Sequence, residues 1–184
     1  MATFIILLRA IGPLTHTLMG MEQWREAAQL AGFGSPRTVL ATGNMIAQFE
    51  GNSEETTEVM RSVLSRFGLG KNVVPIVRKR DVLQRLLKAN PIPEAAAQRP
   101  AQTGVYFFTA RSPNFGWLEG HEGPEVVHVI AKHLVVDFGQ QVAKSARLIR
   151  LIDKHCGVNT ARSWSSLTKI AAAAERAIPG GADQ

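Results

Sequence analysis

Hydrophobic and polar positions follow two different periods along the first half of the chain. Thr3-Phe4-Ile5-Ile6-Leu7-Leu8 is an almost unbroken apolar run that stops at Arg9. Its length predicts a strand, and the missing polar alternation predicts one buried on both faces. Over residues 21–31 the period lengthens: Met21, Trp24, Ala28 and Ala31 recur at helical spacing, while Glu22, Arg25, Glu26 and Gln29 face outward. Gly32 and Gly34 end that helix. Two short β runs follow at 37–41 and 45–49, with Thr42-Gly43-Asn44 as the turn between them. A second helix is predicted over 53–67, capped by Ser53 with Glu54 and Glu55 in its first turn, its inner face formed by Val59, Met60, Val63, Leu64 and Phe67. A strand at 73–77 completes the series.

That order, β-α-β-β-α-β, is the ferredoxin-like split unit, in which helices cover one face of an antiparallel sheet. The other face is left bare, whereas the apolar first strand requires cover on both. The second half of the chain, or another subunit of a homo-oligomer, is therefore expected against it.

Beyond residue 78 the pattern is less regular. A helix at 81–88 buries Val82, Leu83, Leu86 and Leu87 and is broken by Asn90-Pro91-Ile92-Pro93, after which 94–102 reads as a linker. Strands are predicted at 104–108, 125–130 and 133–138, the last two joined tightly at Ala131-Lys132, and helices at 144–155 and 165–177 close the chain. The predicted fold class is α+β with two ferredoxin-like-type subdomains. The first is 1–78, the second 79–178 with two C-terminal helices, and 179–184 is a flexible tail.

Composition narrows the chemistry. A chain of 184 residues can bury enough surface to fold without a metal or a disulfide. Its single cysteine, Cys156, cannot form an internal bridge, which fits a reducing cytosol, and its place beside Leu148, Leu151 and Ile152 on one helix side marks it as a core residue. The apolar opening lacks a basic leader and is too short to span a bilayer, so a cytoplasmic protein without membrane association is expected. The net charge of +6 admits an anionic partner.

Signatures of phosphate loops, dinucleotide folds, nucleophile elbows and zinc-protease helices are missing, so no cofactor is expected and no catalytic residue is assigned. Among the five histidines, His128 and His133 are the close pair, but across the predicted hairpin they face Val135 and Ile130, and no third ligand accompanies them. No metal site is expected. Phe4 and Phe49 read as core rather than as a base-stacking platform for RNA. Cations at element ends are better candidates. Arg9 ends the first strand, Arg78 leads into a helix, and Thr160 and Arg162 lie where an irregular segment enters the alanine-rich last helix, whose free N–H groups beside a cation would suit an anion. Trp164, in the same segment, is expected to be largely buried. Lys144, Arg147, Arg150 and Lys154, spaced three, three and four apart, form a secondary basic face.

Four segments in order add a resemblance. Leu7-Leu8-Arg9-Ala10-Ile11 is similar to L-L-R-G-I-N, and Thr38 through Thr42-Gly43-Asn44 to T-x-x-x-S-G-N. Val77-Arg78 with Ala89-Asn90-Pro91 is similar to V-R and N-P-F, and Thr160-Ala161-Arg162-Ser163-Trp164 to T-x-R-N-W. Together they resemble the bacterial family known as domain of unknown function 1697. The resemblance implies an α+β fold of paired ferredoxin-like units and no particular reaction. Ala10, Gly12 and Ser163 depart from the family's glycine and two asparagines, which puts ligand contacts through those groups in question.

The leading functional reading is a non-catalytic binder of an anionic ligand, either a phosphorylated small molecule or a nucleic acid. Arg9, Arg78 and Arg162 supply charge, and Thr42, Gly43, Asn44 and Thr160 supply polar contacts. Arg9 and Arg162 are expected to converge on one pocket near the 42–44 turn. The alternatives are an enzyme acting on a small anionic substrate with arginine clamps, and a plain protein-interaction module.

Overall fold

The computed structural model describes residues 1–140 and 145–177. The apolar N-terminal run is strand β1 (Ala2–Leu8), with residues 4–8 all buried. It is a central strand of an antiparallel sheet ordered β2-β3-β1-β4, completed by β2 (Gly34–Thr38), β3 (Asn44–Phe49) and β4 (Pro75–Lys79). Between β1 and β2 lie α1 (Pro13–Leu18) and α2 (Met21–Leu30), and α3 (Ser53–Ser65) links β3 to β4. Phe4, Ile6 and Leu8 pack with Trp24 and Ala28 of α2 and with Met60, Val63 and Leu64 of α3, so the helices cover one face of the sheet. Ile5 and Leu7, of opposite parity, are also fully buried. The strand pattern predicted from hydrophobicity is thus realised as the ferredoxin-like order.

The same order recurs further along. Strands β5 (Thr103–Phe108), β6 (Val126–Ile130), β7 (His133–Asp137) and β8 (Asn159–Arg162) form a second antiparallel sheet ordered β6-β7-β5-β8. Helix α6 (Ala146–Cys156) joins β7 to β8, whereas residues 109–125 cross from β5 to β6 through a 3₁₀ turn at Gly116–Gly120 in place of an α-helix. Tyr106, Phe108, Leu134 and Val136 pack with Leu148, Ile152 and Cys156 of α6, with Phe115, Trp117 and Leu118 of the 109–125 crossing beside them. Helices α4 (Arg80–Ala89), α5 (Pro93–Gln98) and α7 (Trp164–Arg176) complete the α-helices of the described residues. By internal contact, Met1–Gln84 with the chain from Lys169 forms one compact unit and Arg85–Thr168 another.

Several boundaries differ from expectation, each for a local reason. The predicted 37–41 strand lies instead at Gly34–Thr38, because Leu40 takes a left-handed φ of 60° and Asn44 Nδ2 donates to the Val39 carbonyl, closing a longer turn. Pro36 is tolerated because β2 is an edge strand. The 73–77 strand is shifted to Pro75–Lys79. Asn52, rather than Ser53, caps α3: its Oδ1 accepts from the N–H groups of Glu54 and Glu55 at 2.8 and 3.0 Å, while Glu55 Oε2 accepts from Asn52 N at 2.7 Å. The 94–102 linker is ordered as α5 and a 3₁₀ turn at Pro100–Gln102, since Pro93 and Pro100 each start a helical turn. The irregular segment before the last helix contains β8, an edge strand paired with β5. The 179–184 tail and Lys144 lie outside the described residues. Among the described residues no helix is long and apolar enough to cross a membrane.

Candidate functional site

The predicted ligand residues fall into two groups, each built by its own sheet. In the first unit, β1 ends against two other segments. Leu8 N donates to the Gly43 carbonyl at 2.8 Å and Arg9 N to the Val74 carbonyl at 3.0 Å, so the loop after β1 sits between the β2–β3 turn and the lead-in to β4. Asn44 is fully buried, and its side-chain amide donates to Val39 O at 2.8 Å and Thr42 Oγ1 at 2.9 Å, fixing the turn from within. Gly43 has a φ of 78°, and a Cβ there would stand 2.7 Å from Ile11 Cγ1 and 2.9 Å from Leu8 Cβ. Only glycine permits that approach. Arg9, Thr42, Gly43 and Asn44 are therefore gathered at one end of the sheet.

The loop bears on two of the departures from the resembled family. Ala10 stands where the family has glycine and adopts a φ of 62°, so it carries strain that glycine would relieve. Gly12 has an extended φ of −159°, which any residue can adopt, so no glycine is required there.

Arg9 is half-buried. Among the described residues its guanidinium makes no hydrogen bond or ion pair. Arg78 differs in place and environment. It pairs in register with Ile5, about 13 Å along the strand from the Arg9 end at the usual rise per residue. Its Nη1 donates to the Val77 carbonyl at 2.9 Å, and burial lowers its pKa to about 10.

In the second unit, Arg162 and Thr160 lie on β8 opposite Val105 and Phe107, and both are buried. Arg162 Nη1 donates to Thr160 Oγ1 at 2.7 Å and to the Ala161 carbonyl at 2.8 Å. Burial lowers the Arg162 pKa to about 10 as well. The expected anion site at the start of α7 is largely closed by the protein itself. Trp164 N donates to Thr103 Oγ1 at 2.8 Å, and Ser166 N donates to Ser163 Oγ at 3.1 Å. Ser163 is thus a helix cap, a task that the family's asparagine performs equally well. Trp164 is buried, as its place in the sequence suggested.

The remaining candidates behave differently. Arg147, Arg150 and Lys154 are exposed on α6, opposite the buried Leu148, Ile152 and Cys156. Cys156 donates to the Asn114 carbonyl at 3.2 Å, and burial pushes its thiol pKa up, which suits packing better than nucleophilic attack. His133 is buried with its ring edge-on to Phe107, centroids 5.1 Å apart, and His128 pairs with Val135 in the hairpin. Among the described residues no three His, Cys, Asp or Glu side chains are placed to hold a metal.

One polar cluster escaped the sequence reading. His121 Nε2 lies 3.3 Å from Glu125 Oε2, both side chains buried, and Trp117 stands edge-on to His121 and stacked on His155. Its sequence signal is only a His-x-x-x-Glu spacing, which without a helix places nothing together. Gly123 makes the approach feasible, since a Cβ there would lie 2.3 Å from Glu125 Oε2.

Comparison with known proteins agrees with the fold and leaves the chemistry open. The profile of the family described as a protein of unknown function, DUF1697, matches residues 1–134. The solved structure of the conserved bacterial protein SP0830 from Streptococcus pneumoniae is similar, with a TM-score of 0.75 at 14% sequence identity, over 95% of this chain and 99% of that one. No curated protein matches the chain.

Proposed function

Because the chain belongs to the uncharacterised bacterial family DUF1697, whose membership assigns no activity, we propose from its own side chains that it is a non-catalytic binder of an anionic ligand held at Arg9. The observation that carries this reading is the half-buried Arg9 guanidinium, which makes no hydrogen bond or ion pair among the described residues. A guanidinium presents five donors in a fixed fork that matches phosphate or carboxylate. Thr42, exposed on the adjoining turn, supplies a hydroxyl, while Gly43 and Asn44 hold that turn in shape. The net charge of +6 favours encounter with a polyanion. Arg78 and Arg162 are each bonded to local carbonyl or hydroxyl oxygens and desolvated, so their part in this reading is to hold their strands.

Inorganic phosphate, a nucleoside triphosphate and a short single-stranded RNA are the probes, titrated against the full chain and its Arg9→Gln variant at two salt concentrations. Saturable binding that weakens about tenfold or more in Arg9→Gln, at unchanged melting temperature, is expected for loss of a charge-assisted contact. A shallow salt dependence identifies the small phosphate ligand, and a slope near about −0.7 per contacted phosphate identifies the single strand. Equal affinity in both proteins for every probe would end the proposal.

A further inference from the structure

The second unit contains a cleft of about 510 Å³ lined by Glu94, Gln98, Arg99, Gln102, Gly139 and Gln140. That volume lies within the range of small-ligand sites. Among the described lining residues the one cation, Arg99, is already engaged. Arg99 grips Asp137 with both terminal nitrogens, Nη2 to Oδ2 at 2.8 Å, and Asp137 Oδ1 also accepts from Gly139 N at 2.8 Å. The Arg99 guanidinium holds the Asp137 carboxyl below the usual carboxylate range, and the arginine pKa is raised in return. The pair is neutral, so the charge left over among the described lining residues is the exposed carboxylate of Glu94.

The walls have acceptors to spare. Gln102 Oε1 is buried and has no hydrogen-bond partner among the described residues, although the Gln102 backbone is tied on both sides, N–H to Arg99 O at 2.9 Å and carbonyl from Phe138 N at 3.1 Å. A carbonyl oxygen deprived of both water and a protein donor is favourably placed only when something else donates to it. Glu94 and Gln98 stand one helical turn apart on α5, on the same side of the helix. An anion would meet the Glu94 carboxylate and an arginine whose fork is occupied. A cation with several N–H donors would meet a carboxylate and an unpaired acceptor.

We infer that this cleft is a second site, independent of Arg9, for a small organic cation bearing a primary ammonium or guanidinium group. Glu94 supplies the charge, Gln102 Oε1 the directional acceptor, and the Arg99–Asp137 pair a neutral floor. Agmatine, which carries both groups, is the probe. It is titrated calorimetrically into the full chain and into Glu94→Gln, Gln102→Glu and Arg9→Gln variants, each first shown to melt cooperatively. Saturable binding is expected, weakened about tenfold or more by Glu94→Gln, strengthened by Gln102→Glu, and unchanged by Arg9→Gln. Because Arg9→Gln is the variant that tests the anion site, failure of one site is distinguishable from failure of the other. No saturable binding at millimolar agmatine, or binding indifferent to both Glu94→Gln and Gln102→Glu, overturns the inference.

Discussion

In the first unit the connection from β1 to β2 carries α2, whose fully buried Trp24 reaches Met60 of α3 with Nε1 donating to Sδ at 3.2 Å. The corresponding connection in the second unit carries only a 3₁₀ turn, and its half-buried Trp117 donates to Asn114 O at 2.9 Å while stacking on His155 of α6. The strand order is the same in both sheets. Strand pairing therefore sets this topology, and the covering layer is free to change as long as an aromatic group keeps water off the sheet. The two tryptophans perform that task at different depths.

Depth should determine their energetic weight. Trp24→Ala leaves a large cavity among fully buried neighbours and is expected to cost about 3 to 5 kcal/mol of unfolding free energy. Trp117→Ala removes a side chain that is already partly wet, and about half that loss is expected. Denaturant melts of both variants decide the matter. Equal losses would show that the 109–125 crossing is as rigid a cover as a helix, and the contrast between the units would fall.

A smaller effect sharpens the contrast between strained and unstrained loop positions at the Arg9 end of the first sheet. Gly43→Ala forces a left-handed alanine at φ 78° and a Cβ within 2.7 Å of Ile11 Cγ1, and is expected to destabilise by about 2 kcal/mol. Ala10→Gly acts in the reverse sense. It relieves an alanine at φ 62° while loosening the unfolded chain, so its net effect should lie between zero and about 1 kcal/mol of stabilisation. A destabilisation by Ala10→Gly of more than about 1 kcal/mol would show that alanine carries no strain at this position.

Those two positions also show what was legible beforehand. Thr42-Gly43-Asn44 announced a turn, and β1 announced its double burial, because both depend on near neighbours in sequence. The start of α7 was misread for a non-local reason: Thr103, sixty-one residues upstream, supplies the oxygen that occupies the Trp164 N–H. The strand β8 was missed because Asn-Thr-Ala-Arg has no apolar alternation and exists through pairing with β5. Prolines in 94–102 suggested a linker, although Pro93 and Pro100 sit at helix starts where proline is favourable. Of the candidate site, the 42–44 turn was expected near Arg9, and Leu8 N meets it at the Gly43 carbonyl. The burial that sets Arg78 and Arg162 apart from Arg9 could not, since it depends on the neighbouring strands and helices around each side chain.

The smallest expected effect concerns the exposed cations of α6, which share their helix with the second unit's core. Arg147, Arg150 and Lys154 point away from Leu148, Ile152 and Cys156, so neutralising all three removes little packing. Each replacement by glutamine should change stability by less than about 0.5 kcal/mol, the usual range for surface positions, and relief of like-charge repulsion between neighbours one turn apart offsets part of any loss. Stability alone therefore cannot reveal a role for this face. Salt dependence can. If RNA contacts the helix, the triple variant should flatten the slope of log affinity against log salt by about 0.7 for each phosphate contact removed, whereas binding confined to Arg9 leaves the slope unaltered. An unchanged slope together with unchanged stability identifies the stripe as a solvated surface and confines the anion chemistry to the end of the first sheet.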